Sequence, residues 1–502
     1  MPIDYIKKIL KARVYDLAVE TPATVAVNLS KRLDNNIIIK REDLQPIYSF
    51  KLRGAYNKMS SLTEAEKACG VVCASAGNHA QGVALSARYL GIRAVIVMPT
   101  ITPDIKVNSV KNLGGEVVLQ GDTFDEACRY AQDLQKKEEM TFIHPYDDPE
   151  VIAGQGTIGM EIMHQVKEDI DAIFVPVGGG GLISGIAVYV KYLNPKIKVI
   201  GVESEDSACL KVALESGERK ILEDVGIFVD GVAVAQIGEE TFRLAQQFVD
   251  EVITVNTDEI CAAIKDIFED TRGIAEPAGA LSIAGLKKYL KDKKCSNQTL
   301  VAINSGANTS FGRLRHISER TELGSAKEAL VAVVIPEKRG SFLQFCEDMG
   351  SFNITEFNYR YSGGEQANIF VGVELKKGLE SRHQLLDGLQ GKKYQLADLT
   401  ENEMAKLHVR YMVGGHGLKT QERIFRVQFP EKPGALLKFL KAIDVKWNVT
   451  LFHYRNHAAA YGRVLMGIQA DLKDAELTRK LDEIGYHFFE ETDNPAYQIF
   501  LV

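Results

Sequence analysis

From Ala12 to Ile317 the sequence keeps one rhythm: short, wholly apolar runs separated by helix-length segments. Examples are Gly70-Val71-Val72-Cys73-Ala74, Ala94-Val95-Ile96-Val97-Met98, Glu116-Val117-Val118-Leu119, Ala172-Ile173-Phe174-Val175, Val199-Ile200-Gly201-Val202 and Leu300-Val301-Ala302-Ile303. A strand with one wet face would alternate apolar and polar residues, so runs without alternation mark strands buried on both faces. Joined by helical crossovers, such strands predict parallel sheets covered by helices, an α/β architecture. Sites in these sheets collect at the carboxyl ends of strands. Three motifs follow the strands there: Ser75-Ala76-Gly77-Asn78-His79, Gly178-Gly179-Gly180-Gly181, and Ser305-Gly306-Ala307-Asn308.

After a charged connector, Arg320 to Glu328, alternating strands appear together with an internal repeat. Pro336-Glu337-Lys338-Arg339-Gly340 is echoed by Pro430-Glu431-Lys432-Pro433-Gly434, and Asn353-Ile354-Thr355-Glu356-Phe357-Asn358-Tyr359-Arg360 by Asn448-Val449-Thr450-Leu451-Phe452-His453-Tyr454-Arg455. Each copy reads as a strand, a helix starting after the glycine, and a second strand ending in Tyr-Arg. Two βαββ-type units related by duplication are the economical reading. With 502 residues, too many for one core, the expected division is a catalytic domain over 1–322, a linker over 323–328, one regulatory subdomain over 329–410, a linker over 411–421 and a second subdomain over 422–502.

A net charge of -7 without any basic run argues against nucleic acid as a partner. No apolar window approaches a membrane span, and Met1-Pro2-Ile3-Asp4 lacks the build of a secretory signal, so no membrane partner and a cytoplasmic location are expected. Seven scattered cysteines suit reduced thiols. Cys69 and Cys73 form the one close pair, too few ligands for zinc, and no metal site is expected.

Lys51, in Ser49-Phe50-Lys51-Leu52-Arg53-Gly54, follows the strand-like run Asn36 to Lys40 and precedes the amphipathic stretch Ala55 to Leu62. An amine at such a junction can lose part of its hydration and become usable near neutral pH; alone, such a lysine is far more often ordinary solvated surface. The four glycines, with Leu182 opening a helix, make a loop that can curl around a phosphate at a helix N-terminus, although a flexible packing turn has the same composition. In Ser75 to His79 the backbone N–H groups suit a substrate carboxylate and the Asn78 amide a phenolic oxygen; a plain helix cap reads the same way. His79 is assigned no catalytic step.

Together with Glu276-Pro277-Ala278-Gly279-Ala280, these motifs in this order resemble the tryptophan-synthase-β-like class (fold type II) of pyridoxal phosphate enzymes, and within it the threonine and serine dehydratases. The duplicated tail resembles tandem α+β ACT-like regulatory domains, completing a likeness to the biosynthetic threonine deaminases. Ala278 departs from the pattern, since many relatives carry serine there. The resemblance implies a two-lobed catalytic domain, pyridoxal 5'-phosphate held by Lys51, the ring oxygen met by Asn78, the phosphate by Gly178 to Leu182, and the pyridine nitrogen faced by Ser305. It implies that Lys51 removes the Cα proton of L-threonine, that L-serine is also accepted, and that Ser75, Ala76, Gly77, Asn78 and His79 line the substrate. Glu276 would orient Lys51 or the ring, or merely start its helix. The same likeness implies isoleucine as inhibitor, valine as its opponent, and a homotetramer. Tyr359 and Tyr454, at the strand ends of the two copies, are expected to line or gate the effector sites, with core packing as the alternative. A serine-directed dehydratase or racemase, or an amino-acid sensor with a silent catalytic domain, are the competing readings.

Overall fold

The computed structural model describes residues 2–336, 344–345, 348–349, 352, 354–359, 365–411, 422–430, 447–455, 461–471 and 474–501. Contacts divide the chain into two units, Met1–Phe311 and Gly312–Val502. The helix Arg313–Gly324 groups with the second unit, whereas the sequence reading drew its boundary at 322.

The first unit contains two sheets. One is wholly parallel, with strands in the order Glu116–Leu119, Ala94–Met98, Val71–Ala74 and Thr141–Phe142. The other has the order Ala23–Val25, Asn36–Arg41, Thr299–Asn304, Ala172–Pro176, Lys198–Ser204 and Glu251–Val255. It is parallel except at its first strand, which runs antiparallel to the second. That edge strand is short and only partly buried, so it carries no continuous apolar run and escapes a reading based on one. Central strands behave as their composition requires. Ile173 and Val175 point into the same cluster as Ile183 and Ile186, while Phe174, on the opposite face, meets the Tyr289 ring edge-on at 5.4 Å between centroids. Fully burying each such side chain stabilises the fold by about 1.5–3 kcal/mol.

Helix starts differ across this unit. Thr63, Thr123 and Asn256 close capping boxes at the helices Glu64–Cys69, Phe124–Glu138 and Thr257–Thr271, and Asp148 caps Pro149–Gln165. The helices Lys51–Ser60, Asn78–Leu90 and Gly181–Leu193 have no side-chain cap from the residue before them; in the first, Lys51 N–H meets Ser49 Oγ and Arg53 N–H the Phe50 carbonyl, while the first-turn N–H groups of the other two are left for something else.

The second unit confirms the duplication. Two four-stranded antiparallel sheets share one strand order: Ile354–Tyr359, Gln366–Glu374, Glu328–Pro336, Gln395–Asp398, and Asn448–Arg455, Tyr461–Gln469, Glu422–Pro430, Phe488–Glu490. Even the irregularity repeats: the ladder slips between Ile354 and Glu356 opposite Gly372, and between Val449 and Leu451 opposite Gly467. One face of the first sheet packs Val331, Val333 and Val371 with Leu385 and Leu389, and one face of the second packs Phe425, Met466 and Ile468 with Leu477 and Leu481. The other faces join in one cluster of Leu330, Phe370, Ile424, Leu465 and Phe500. Residues 337–343 and 431–446, where each copy was expected to turn and start a helix, and residues 412–421 of the expected linker lie outside the described residues.

Candidate active site

Lys51 is the first residue of its helix, four positions ahead of where the amphipathic pattern begins. Behind it the helix is anchored by buried charge. Arg53 bonds Glu42 through Nε and Nη2 at 2.8 Å and also pairs with Glu161, which in turn holds Lys40. All four side chains are enclosed, and a matched set of this kind persists because each charge has its partners. Ahead of Lys51, the segment after the strand Thr299–Asn304 closes onto its approach: Phe50 N–H donates to the Ser305 carbonyl (3.2 Å), Ser49 bridges Gly306, and Ala307 N–H donates to the Tyr48 carbonyl (2.9 Å). Two motifs far apart in sequence are thereby joined.

The Lys51 amine donates to the Pro145 carbonyl at 2.8 Å and lies 5.3 Å from the centre of the Phe50 ring. Burial lowers its pKa to about 8, against a smaller opposing pull from the Glu276 charge. Two imidazoles near it are held neutral. Burial, with Lys51 repulsion second, takes His79 down to about 3, and burial likewise lowers His144.

Pro145 and its neighbour Tyr146 tie this amine to the tetraglycine. A Cβ on Gly179 would fall 2.2 Å from Cδ1 of Tyr146, and one on Gly180, whose φ is +90°, would fall 2.7 Å from Cδ1 of Ile237. The loop carbonyls are taken up by the protein: Gly179 accepts from Thr241 Oγ1 at 2.7 Å, and Gly178 from Cys209 Sγ at 3.4 Å. With carbonyls engaged and side chains absent, the loop and the uncapped helix Gly181–Leu193 present N–H donors, which suit a phosphate. The donor set thus fits a cofactor with an aldehyde for an amine at one end and a phosphate at the other.

The third edge is polar. Asn78 Nδ2 donates to Glu276 Oε1 at 2.6 Å, and Asn308 Nδ2 donates to Asn78 Oδ1 at 2.8 Å. Ser305 is buried, its hydroxyl 3.4 Å from the Ala278 carbonyl. Ser75 Oγ accepts from Gly77 N–H at 3.3 Å, and around Gly77 nothing would meet an added Cβ within 4 Å, so the loop opens onto free space. The His79 ring turns inward, with Nε2 2.8 Å from the Ile143 carbonyl, which leaves its main-chain N–H as the group on the loop side. Asn78 itself is the first residue of the helix Asn78–Leu90.

Sequence reasoning passed over His144-Pro145-Tyr146-Asp147. Besides Pro145 and Tyr146, Asp147 caps the helix Glu239–Phe248 through the N–H groups of Glu239, Glu240 and Thr241 at 2.8–3.1 Å, and so fixes Thr241 against Gly179. The available signal was position: the segment leaves the strand Thr141–Phe142 at its carboxyl end. Tyr359 and Tyr454 occupy equal places, paired with Ile369 and Val464; their side chains lie outside the described residues.

Comparison with known proteins places these features. The family profile of pyridoxal-phosphate dependent enzymes matches residues 14–306, and that of the C-terminal regulatory domain of threonine dehydratase matches residues 319–409 and 414–501. The chain is 53% identical over 501 residues to the biosynthetic L-threonine dehydratase IlvA of Escherichia coli, covering 99% of this chain and 97% of that protein. Against the mitochondrial threonine dehydratase of Saccharomyces cerevisiae the identity is 48% over 513 residues, with 99% of this chain and 89% of that protein covered. Among solved structures, the processed form of threonine deaminase isoform 2 from Solanum lycopersicum superposes with a TM-score of 0.63 at 50% identity, covering 64% of this chain and 93% of that one. No described helix is long and apolar enough to cross a membrane. By its profiles, its full-length relatives and a lysine-and-glycine site suited to pyridoxal phosphate, the chain belongs to the pyridoxal-phosphate-dependent biosynthetic threonine dehydratases, which are ammonia-lyases.

Proposed function

We propose that this enzyme is the feedback-regulated first step towards isoleucine, converting L-threonine to 2-oxobutanoate and ammonia, with L-serine as a second substrate. The observation that carries the reading is the partly buried Lys51 amine, 2.8 Å from the Pro145 carbonyl and with a pKa lowered to about 8. Lys51 and the loop Gly178 to Leu182 would hold pyridoxal phosphate by its two ends, with Asn78 towards its ring oxygen and Ser305 towards its ring nitrogen. When bound, the cofactor supplies an electron sink for the Cα–H bond. The N–H groups of Ser75 to His79 hold the substrate carboxylate, and Lys51 Nζ, part of it neutral near pH 7, takes the proton from Cα. Loss of the β-hydroxyl as water and hydrolysis of the released enamine give the two products. The neutral hydroxyl of Ser305, unlike a carboxylate, would not enforce a protonated ring.

For the second unit the reading is two effector-binding subdomains, 329–410 and 422–502, that take isoleucine and valine with opposite effect in a cytoplasmic homotetramer. The matching registers of Tyr359 and Tyr454 support equivalent roles at the effector sites. The test is steady-state turnover of threonine with and without isoleucine and valine, alongside Lys51→Ala. The parent should show a visible absorbance that borohydride abolishes and the variant should lack; an unchanged spectrum in the variant overturns the assignment of Lys51, and turnover indifferent to isoleucine overturns the regulatory reading.

A further inference from the structure

Asn308 belongs to the motif after the strand Thr299–Asn304, yet no step above uses it. Its Nδ2 donates twice, to the main-chain carbonyl of Ile47 at 2.7 Å and to Asn78 Oδ1 at 2.8 Å. A main-chain carbonyl can only accept, so the Asn308 atom beside Ile47 has to be the nitrogen. Both of its N–H bonds are then spent, one on each acceptor. The Asn78 atom facing Asn308 must therefore be the oxygen, which turns the Asn78 nitrogen the other way. There it gives one N–H to Glu276 Oε1 at 2.6 Å, and its second N–H has no partner among the described residues.

We infer that Asn308 is a positioning residue that locks the Asn78 amide in a single orientation, with a nitrogen donor, never the oxygen, turned to the cofactor side. The lock is a chain of forced assignments running from the Ile47 carbonyl through Asn308 and Asn78 to Glu276. It rests on the reading that Asn78 faces the ring oxygen, and it adds that the site offers that oxygen a hydrogen-bond donor, which favours its anionic form. A half-turn of the Asn78 amide would set its oxygen against the Glu276 carboxylate and its nitrogen against the Asn308 N–H, acceptor against acceptor and donor against donor.

The test uses the full-length protein in apo and cofactor-loaded forms, with Asn308→Asp, Asn308→Ala and Asn78→Ala. Asn308→Asp keeps the shape but has no donor, so Asn78 meets acceptors on both sides in either orientation. The expected result is a pyridoxal phosphate dissociation constant raised about tenfold, the scale of one hydrogen bond to a charged group, together with a shifted pH dependence of the bound cofactor's visible absorbance. Asn308→Ala should show the same spectral shift to a smaller degree, and it carries the comparison if the aspartate variant is not recovered folded. A purely structural role for Asn308 would lower thermal stability and leave the spectrum of the loaded protein unchanged at every pH; that result overturns the inference. If Asn78→Ala also leaves the spectrum unchanged, the reading of Asn78 fails; if Asn78→Ala shifts it and neither Asn308 variant does, the lock alone fails.

Discussion

The lowered pKa of Lys51 makes a quantitative claim on the apoenzyme. Only the neutral amine attacks an aldehyde. With a pKa of about 8 in place of the usual 10.5, about one Lys51 in ten is neutral at pH 7, against about three in ten thousand for a solvated lysine, an advantage of about 300-fold. The rate of cofactor capture, followed by stopped-flow absorbance, should therefore rise with pH and level off above a midpoint near 8. Glu276 supplies the sharper test. Its negative charge favours the protonated amine and raises the pKa, opposing the larger effect of burial. Glu276→Gln should move the midpoint downward, and the cofactor's own ionisations, common to both proteins, cancel in the comparison. A midpoint near 10.5, or an upward move in Glu276→Gln, would show that the amine is hydrated and the reasoning wrong.

Two further outcomes follow from packing. Arg53→Met strips Glu42 and Glu161 of a buried partner and should destabilise the first unit by about 3–5 kcal/mol, read as a lower urea midpoint; an unchanged midpoint refutes a structural role for the quartet. Gly180→Ala places a Cβ on a backbone with φ +90° and within 2.7 Å of Ile237, a strain of about 1–2 kcal/mol from the backbone alone, and should accelerate cofactor release; release at the parent's rate would mean that the loop relaxes freely.

Much of the fold was legible because burial on both faces leaves a local mark: Ala172 to Val175 and Leu300 to Ile303 had to be central strands whatever surrounded them. The repeat announced the second unit in the same way, down to corresponding bulges opposite Gly372 and Gly467. The run of four glycines marked a tight loop after a buried strand, and the structure packs that loop against Tyr146, Ile237 and Thr241. Tertiary structure alone decided what meets what. Pro145 acts through a main-chain carbonyl, which every residue possesses and no composition reveals. The lowered pKa of Lys51 comes from burial and is held back by a glutamate more than two hundred positions away in sequence. The orientation of Asn78 is fixed by Asn308 and Ile47, from two other segments. Periodicity and composition are properties of neighbours along the chain, whereas hydration, charge proximity and hydrogen-bond direction arise only when distant segments are brought to one place.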